Sequence, residues 1–447
     1  MDTFESEIKN FLQKWPETEF VDLVFTDINA TPRGKRIPVN ALKKVVNGVP
    51  LPVSTITLSN AGSVIEEAGL GEALGEPDHI CMPIPGTLTP TANPSVAQLL
   101  LSMMDSSGEK PSRLFIRNVL EQILDTLHKD GKYPVIALEL EFYLVDKKRA
   151  ENGLVRPAHN PTKNRQEKDT AVYDIDSLDD YAAFLSDLNT AAQKQDLNTS
   201  GALSESAPGQ FEINFNHTDD VLKACDQLIF AKRLIRQVAH QHNFDVTFMA
   251  KPFAHEAGNG QHIHMSVVDE HGENLFSNSN GDASPLFYQT LAAMIHAIPS
   301  SIALLCPNVN SYRRFSLGSY TPTKADWGEN HRGVALRIPM SDSSNRRIEH
   351  RIAGADVNPY VLASVVLSSV LAAPHFTPEQ CPPPLSKNAA SIPTRMSDAL
   401  AELEQGEFGQ YLSEEFIHIY SACKQSELTE FETAVTPLEV EWMLHTA

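Results

Sequence analysis

Much that would assign this 447-residue chain to a common class is missing from it. The five cysteines, Cys81, Cys225, Cys306, Cys381 and Cys423, are widely spaced, odd in number and form no CxxC pair. That fits reduced thiols better than a disulfide framework, and none of them looks catalytic. No GxxxxGK[ST] sequence occurs, so a nucleotide must be held without a Walker A loop. The longest apolar run, around Val361 to Ala373, contains serines and is too short to span a bilayer. The opening MDTFESEIKN has neither the basic nor the apolar part of a secretory signal, so a cytoplasmic location is expected. Basic residues are also few: 36 Lys and Arg stand against 57 Asp and Glu, a net charge of −21. This argues against nucleic acid or an anionic membrane as partner, because phosphate binding needs a basic surface.

The chain does have an ordinary globular composition, 42% hydrophobic and 21% charged, and a length beyond the usual single domain. A short helix from Glu5 to Trp15 and a strand at 21–25 precede a turn-rich region ending in PIPGTLTPTANPS (83–95) and DSSGEKPS (105–112). An amphipathic helix from Arg113 to about His128 follows. The expected boundary lies between domains 1–106 and 107–447. Beyond it, strand-like segments at 134–145, 211–216, 246–251, 261–268, 334–338 and 347–352 alternate with helices. The helices are expected near 178–195, 218–242, 285–304, 358–373, 396–404 and 427–444, which makes an α+β protein.

The most informative segment is VIALELEFYLV. Ile136, Leu138, Leu140, Phe142 and Leu144 share one face of a strand and Glu139 and Glu141 share the other. Two anions on one pleat fit a solvated face or a divalent-cation site, since Mg²⁺ and Mn²⁺ take oxygen ligands. The division recurs, which favours the second reading. His262, His264 and Ser266 oppose Ile263, Met265 and Val267; Glu212 and Asn214 oppose Phe211, Ile213 and Phe215; Arg347, Glu349 and Arg351 oppose Ile348 and Ile352. Glu139, Glu141, Glu205, Glu212, His262 and Glu349 suit two divalent metals. Arg314, Arg332, Arg337, Arg347 and Arg351 supply planar donors for carboxylate or phosphate. Together they suit phosphoryl transfer.

LELEF (138–142), ESAPGQFEI (205–213), FMAKP (248–252), GNGQHIHMS (258–266), NSYRRF (310–315), HRGVALRIP (331–339) and RRIEHRIAGADVNPY (346–360) resemble the glutamine synthetase superfamily, in its order and approximate spacing. The resemblance implies an N-terminal β-grasp domain and a catalytic domain whose antiparallel strands line a funnel. It also implies a homo-oligomer, usually a dodecamer of two stacked hexamers with sites shared between subunits. By it, Glu141, Glu205 and Glu212 ligate a substrate-side metal, and Glu139, His262 and Glu349 a phosphate-side metal, with two or three Mg²⁺ or Mn²⁺ in all. His264, Ser266, Arg337 and Arg347 contact ATP. Gly258, Arg314 and Arg351 hold glutamate, and Arg332 with Arg337 stabilises the transferring phosphoryl group. The implied reaction phosphorylates the glutamate γ-carboxylate and passes the acyl group to an amine.

The departures from the family bear on that amine. Where ammonia-using members carry a flap acid, six residues after the position of Arg314, this chain has Tyr320. The segment matching their second ammonium-binding acid, NGVPLPVSTITLSN (47–60), contains no acid. An ammonium ion needs anionic partners and a base; a larger primary amine needs room and an apolar or aromatic wall. Tyr320 and Trp327 could form such a wall or merely pack the flap. The departure, together with FTDINATPRGKRIP (25–38), resembles the γ-glutamylpolyamine synthetase branch, including γ-glutamylputrescine synthetases. Ala257 replaces the asparagine expected to meet the substrate's α-amino group, and the absence of tyrosine from 361–410 rules out adenylylation at the usual residue. The leading expectation is an ATP-dependent ligase of L-glutamate with an amine other than ammonia. The alternatives are an ammonia-using glutamine synthetase and a non-catalytic regulatory or structural ring.

Overall fold

A computed structural model describes residues 4–446 apart from 169, 171 and 316–319. The chain opens with helix α1 (Phe4–Lys14), which buries Phe4, Ile8 and Phe11, one apolar stripe at helical spacing. It continues as strands β1 (Phe20–Thr26), β2 (Pro32–Pro38), β3 (Val49–Pro52), β4 (Asp78–Pro83), β5 (Thr89–Pro90) and β6 (Val96–Met103). These form one sheet in the order β2–β1–β6–β4–β3, with β5 against β6. The central pair β1 and β6 is parallel and its neighbours are antiparallel, the β-grasp arrangement expected. Gly34 is required in β2, because a Cβ there would lie 1.8 Å from the Leu23 carbonyl oxygen.

Helix α2 (Ile116–Lys129) leads into the long strand β7 (Tyr133–Asp146), the small hairpin β8 (His159–Asn160) and β9 (Arg165–Gln166), and helices α3 (Ile175–Asp180) and α4 (Ala182–Lys194). Next come β10 (Thr199–Ser204), β11 (Gln210–Phe215), α5 (Val221–Gln241), β12 (Phe244–Thr247), β13 (Ile263–Val268) and α6 (Pro285–Leu305). The last elements are β14 (Trp327–Glu329), β15 (Leu336–Ile338), β16 (Ile348–His350), α7 (Pro359–Ala372), α8 (Met396–Gln405), α9 (Phe408–Leu412), α10 (Glu414–Thr433) and α11 (Pro437–Met443). The second sheet has the order β10–β11–β7–β13–β16–β15–β14, with β12 also on β7; only β14 and β15 pair in parallel. Its apolar face is the one read from β7: Ile136, Leu138, Leu140, Phe142 and Leu144 are all at most 1% exposed.

Helices α2, α5 and α7 are joined by a buried polar cluster. Arg117 donates twice to Asp226 at 2.8 Å, and the Tyr360 hydroxyl donates to the same carboxylate at 2.6 Å. Among the described residues α6 alone is long and apolar enough to cross a bilayer. It packs against α7 and α8 and buries Leu291, Met294, Ile298, Ile302 and Leu305, so it is a core helix.

Three expectations need correction. The strand expected at 246–251 is β12, four residues ending at Thr247, and Met249 is already exposed. The helix near 178–195 is broken at Tyr181, between α3 and α4. The helix near 427–444 is two: α10 starts at Glu414 and stops at Thr433. Pro437 then opens α11 behind a capping box formed by Thr436 and Glu439. Proline lacks the N–H that would have continued α10 and disfavours helical backbone just before it.

Candidate active site

Strand β7 is the spine of the site because its register sets its two glutamates against the other polar faces. On one side Glu141 faces Glu212 and Glu139 faces Asn214 of β11. On the other, the Glu139 amide donates to the His262 carbonyl at 3.0 Å and the Glu141 amide to the Gly260 carbonyl at 3.1 Å. Further across, His264 pairs with Glu349, and Glu349 with Arg337. Carboxylates directly opposite one another are unfavourable unless a cation lies between them.

The side chains converge. Glu139 accepts from His262 Nδ1 at 2.9 Å and from His264 Nε2 at 2.8 Å. Burial alone would raise its pKa, but the two imidazoles outweigh burial and hold it well below the usual carboxylate range. Glu349, 1% exposed, accepts from Arg337 at 2.7 Å and from Arg351. Burial pushes it up, the charges of His262 and Arg351 pull it down further, and the net shift is downward. Glu141 accepts the Gly260 amide at 2.7 Å. Gly260 allows that approach: a Cβ on it would lie 2.8 Å from His262 Nε2.

Two groups have ligand atoms within 4.8 Å of one another: Glu139, His262 and Glu349, and Glu141, Glu212 and His262. The first is the triad the resemblance implies for the phosphate side. In the second, His262 stands where Glu205 was expected, so the structure assembles five of the six candidate ligands and leaves Glu205 outside both groups. Glu205 still belongs to the cluster electrically. Burial, then Glu141, raises its pKa to about 7. Burial, then Glu139, Glu141 and Glu205, raises Glu212 to about 9. Carboxylates raised this far above their ordinary value mark a pocket short of positive charge. This oxygen-rich set with one imidazole fits hard divalent cations.

The arginines divide into held and open. Arg337 also donates to Asn330 at 2.9 Å, and Arg351 to the Arg332 carbonyl at 3.2 Å. Arg332 itself is exposed on a loop, and its charge lowers Glu205. Arg314, 4% exposed, donates to the Ile352 carbonyl at 2.7 Å. Gly258 lies against it: a Cβ there would be 2.7 Å from the Ala250 carbonyl and 2.8 Å from Arg314 Cγ, so only glycine fits. On the other flank, His264, Ser266 and Arg347 line a cleft of about 580 Å³ that reaches Glu139 and is also lined by Phe215 and Asn345. Arg347 donates to His264 Nδ1 at 3.4 Å, orienting the ring that grips Glu139.

The amine side differs from expectation. Trp327 is withdrawn from any wall: it is 6% exposed, and its indole N–H donates to the Pro382 carbonyl at 2.7 Å. Strand β14 needs that side chain as core, which is the packing alternative. Tyr320 is 74% exposed and free to face a ligand, while 316–319 of the same segment lie outside the described residues. Two residues escaped the sequence reading. Glu76, in left-handed backbone (φ 45°), accepts from the Ser54 hydroxyl at 2.9 Å, which places a carboxylate beside the acid-free segment. Tyr173, also left-handed (φ 55°) and exposed, donates its N–H to the Ser204 carbonyl next to Glu205. Non-glycine residues at positive φ are uncommon, but the sequence alone does not reveal them.

The sequence profile described as glutamine synthetase, catalytic domain, matches residues 115–443. The chain belongs to the glutamine synthetase family. It is 45% identical to the γ-glutamylputrescine synthetase PuuA of Escherichia coli over 454 aligned positions, covering 99% of this chain and 95% of that protein. It is 27% identical to a glutamate–isopropylamine ligase of a Pseudomonas species, covering 97% and 96%. The solved structure titled "Apo GmaS without ligand" superposes with a TM-score of 0.84 at 24% identity, covering both chains completely, which establishes the shared fold. As a member of the family, the protein is an ATP-dependent carbon–nitrogen ligase that uses divalent metal ions.

Proposed function

We propose that this glutamine synthetase family member joins L-glutamate to a short diamine, putrescine first, through a γ-glutamyl phosphate. The observation that supports this amine over ammonia is an exposed Tyr320 where a flap acid is expected. The full-length similarity to a γ-glutamylputrescine synthetase agrees with it.

In this reading the glutamate γ-carboxylate oxygen attacks the γ-phosphorus of ATP and ADP leaves. The amine nitrogen then attacks the acyl carbon, the C–O bond breaks, phosphate departs and the nitrogen loses a proton. Activation is needed because a carboxylate is a poor acyl donor. His264, Ser266 and Arg347 hold the nucleotide in their cleft, while Arg332 and Arg337 meet the transferring phosphoryl group. Gly258, Arg314 and Arg351 orient glutamate, and Tyr320 lines the amine entrance. Two or three Mg²⁺ or Mn²⁺ ions, held by Glu139, Glu141, Glu205, Glu212, His262 and Glu349, would neutralise charge on the phosphates and carboxylate. The diamine's second ammonium asks for a remote anion, and Glu76 supplies a carboxylate beside Ser54.

The domain division at 106/107, a cytoplasmic location and a homododecamer belong to the same proposal. An assembly is supported by the exposed apolar residues Leu438, Trp442, Met443 and Leu444 at the C-terminal end. The test of function is phosphate release with glutamate and ATP across putrescine, ethanolamine, isopropylamine and ammonium. Strong stimulation by putrescine with little by ammonium is expected; the reverse ranking would establish the ammonia-using reading.

A further inference from the structure

Strand β7 carries its polar face one step beyond the two glutamates, because Tyr143 follows Glu139 and Glu141 at the same two-residue spacing. The pairing with β11 continues as well: Asn214 faces Glu139, Glu212 faces Glu141 and Gln210 faces Tyr143. This last rung is uncharged, and both of its side chains are buried.

The rung touches the loop from Lys251 to Gly260. The Tyr143 hydroxyl donates to the Ala257 carbonyl at 2.6 Å, and the Gln210 amide donates to the Gly258 carbonyl and to Asn259 Oδ1, both at 3.0 Å. Lys251 Nζ holds the carbonyl of Glu256. Three successive carbonyls, of Glu256, Ala257 and Gly258, are therefore each held by a side chain. A peptide unit is planar and trans, so fixing a carbonyl also fixes the N–H on the other side of the same unit. The Asn259 N–H is turned in this way to the Ala250 carbonyl, at 2.8 Å. The Tyr143 ring is itself seated. It meets Phe253 edge-on with centroids 5.2 Å apart, in a small apolar cluster with Val145 and Ala207 against which Ala257 packs.

The loop held in this way has no slack on its far side. A Cβ on Gly258 would lie 2.8 Å from Arg314 Cγ, so the backbone there already touches the arginine expected to grip glutamate. A small shift of the Ala257–Gly258 peptide must move one or the other. The nucleotide cleft, by contrast, is lined by no residue of the loop and by neither Tyr143 nor Gln210.

We propose that Tyr143 is a positioning residue for the amino-acid substrate: its hydroxyl sets the Ala257–Gly258 peptide against Arg314, with Gln210 holding the next carbonyl. This rests on the glutamate site proposed above. The metal-bearing ladder and the substrate loop are then one rigid unit, since Glu141 on the same strand face also accepts the Gly260 amide.

The test is steady-state kinetics on the full chain with varied glutamate, using whichever amine stimulates phosphate release most. Tyr143→Phe keeps the ring and removes the hydroxyl. It should raise the KM for glutamate about tenfold, the loss expected when a buried carbonyl is left without its donor. Turnover number and the KM for ATP should stay within about twofold, the split that marks lost binding of one substrate. Tyr360→Phe, which takes a hydroxyl from Asp226 in the cluster of α2, α5 and α7, is the structural control; it should lower Tm and leave the KM for glutamate unmoved. Gly258→Ala and Arg314→Ala report on the glutamate site itself. If either raises the KM for glutamate and Tyr143→Phe does not, the proposal is overturned and the glutamate site stands. If neither raises it, the site reading falls and the proposal with it. A Tyr143→Phe variant that loses turnover and ATP affinity as much as glutamate affinity would also overturn the proposal, by showing a general structural role. Should Tyr143→Phe fail to fold, Gln210→Met, which removes the neighbouring donor, decides by the same split.

Discussion

Glu349 joins the cluster's imidazole side to its arginines, so its loss should be felt by both. Glu349→Ala is expected to lower turnover by on the order of 100-fold or more, because it removes a member of the compact triad and leaves Arg337 and Arg351 without their anion. Retained turnover in a folded variant would contradict that role. Titration gives a second check at this scale. In the metal-free protein Glu205 and Glu212 have pKa values of about 7 and about 9, above the ordinary 4.5. The folded state therefore binds more protons than the unfolded state between those limits. Its stability should fall as pH rises from about 5 to 9. Mg²⁺ should reverse the trend, so the gain in Tm on adding it grows with pH; a gain independent of pH would contradict the account. Gly258→Ala should raise the KM for glutamate, since its Cβ would strike the Ala250 carbonyl and Arg314.

Among elements, the central strand was the most legible. Its alternation of apolar residues and glutamates is set by the two-residue period of a strand, and one face of it is buried completely. Short strands were harder: β12 and β14 have four and three residues, too few for a period to register, whereas β16 showed itself through the alternation that continues into its flanking residues from Arg347 to Ile352. Helix ends near Tyr181 and Thr433 were misplaced because the breaks depend on tertiary packing and on Pro437. No periodicity could show that α2, α5 and α7 share one carboxylate. Asp226→Ala would leave Arg117 charged and buried without its partner, which should cost about 3–5 kcal/mol. Chemical denaturation measures this, and turnover per folded molecule should be little changed, because the cluster lies outside the site.

For the whole molecule, the sequence carries the metal-ligating and arginine-rich set because those residues sit in contiguous motifs. It carries the amine side poorly, where contacts are distant in sequence: Glu76 meets Ser54 across 22 positions, and Trp327 is claimed by Pro382, 55 positions away. The exposed apolar end of the chain makes a further prediction. Trp442→Asp combined with Leu444→Asp should lower the mass found by light scattering if these residues contact another copy, and an unchanged mass would remove them from the interface. The central claim, a glutamate ligase that prefers a diamine to ammonia, is tested most directly by competition. With ATP, Mg²⁺ and glutamate present and putrescine and ammonium at equal concentration, the products are identified by mass. γ-Glutamylputrescine should dominate; a mixture dominated by glutamine would contradict the account.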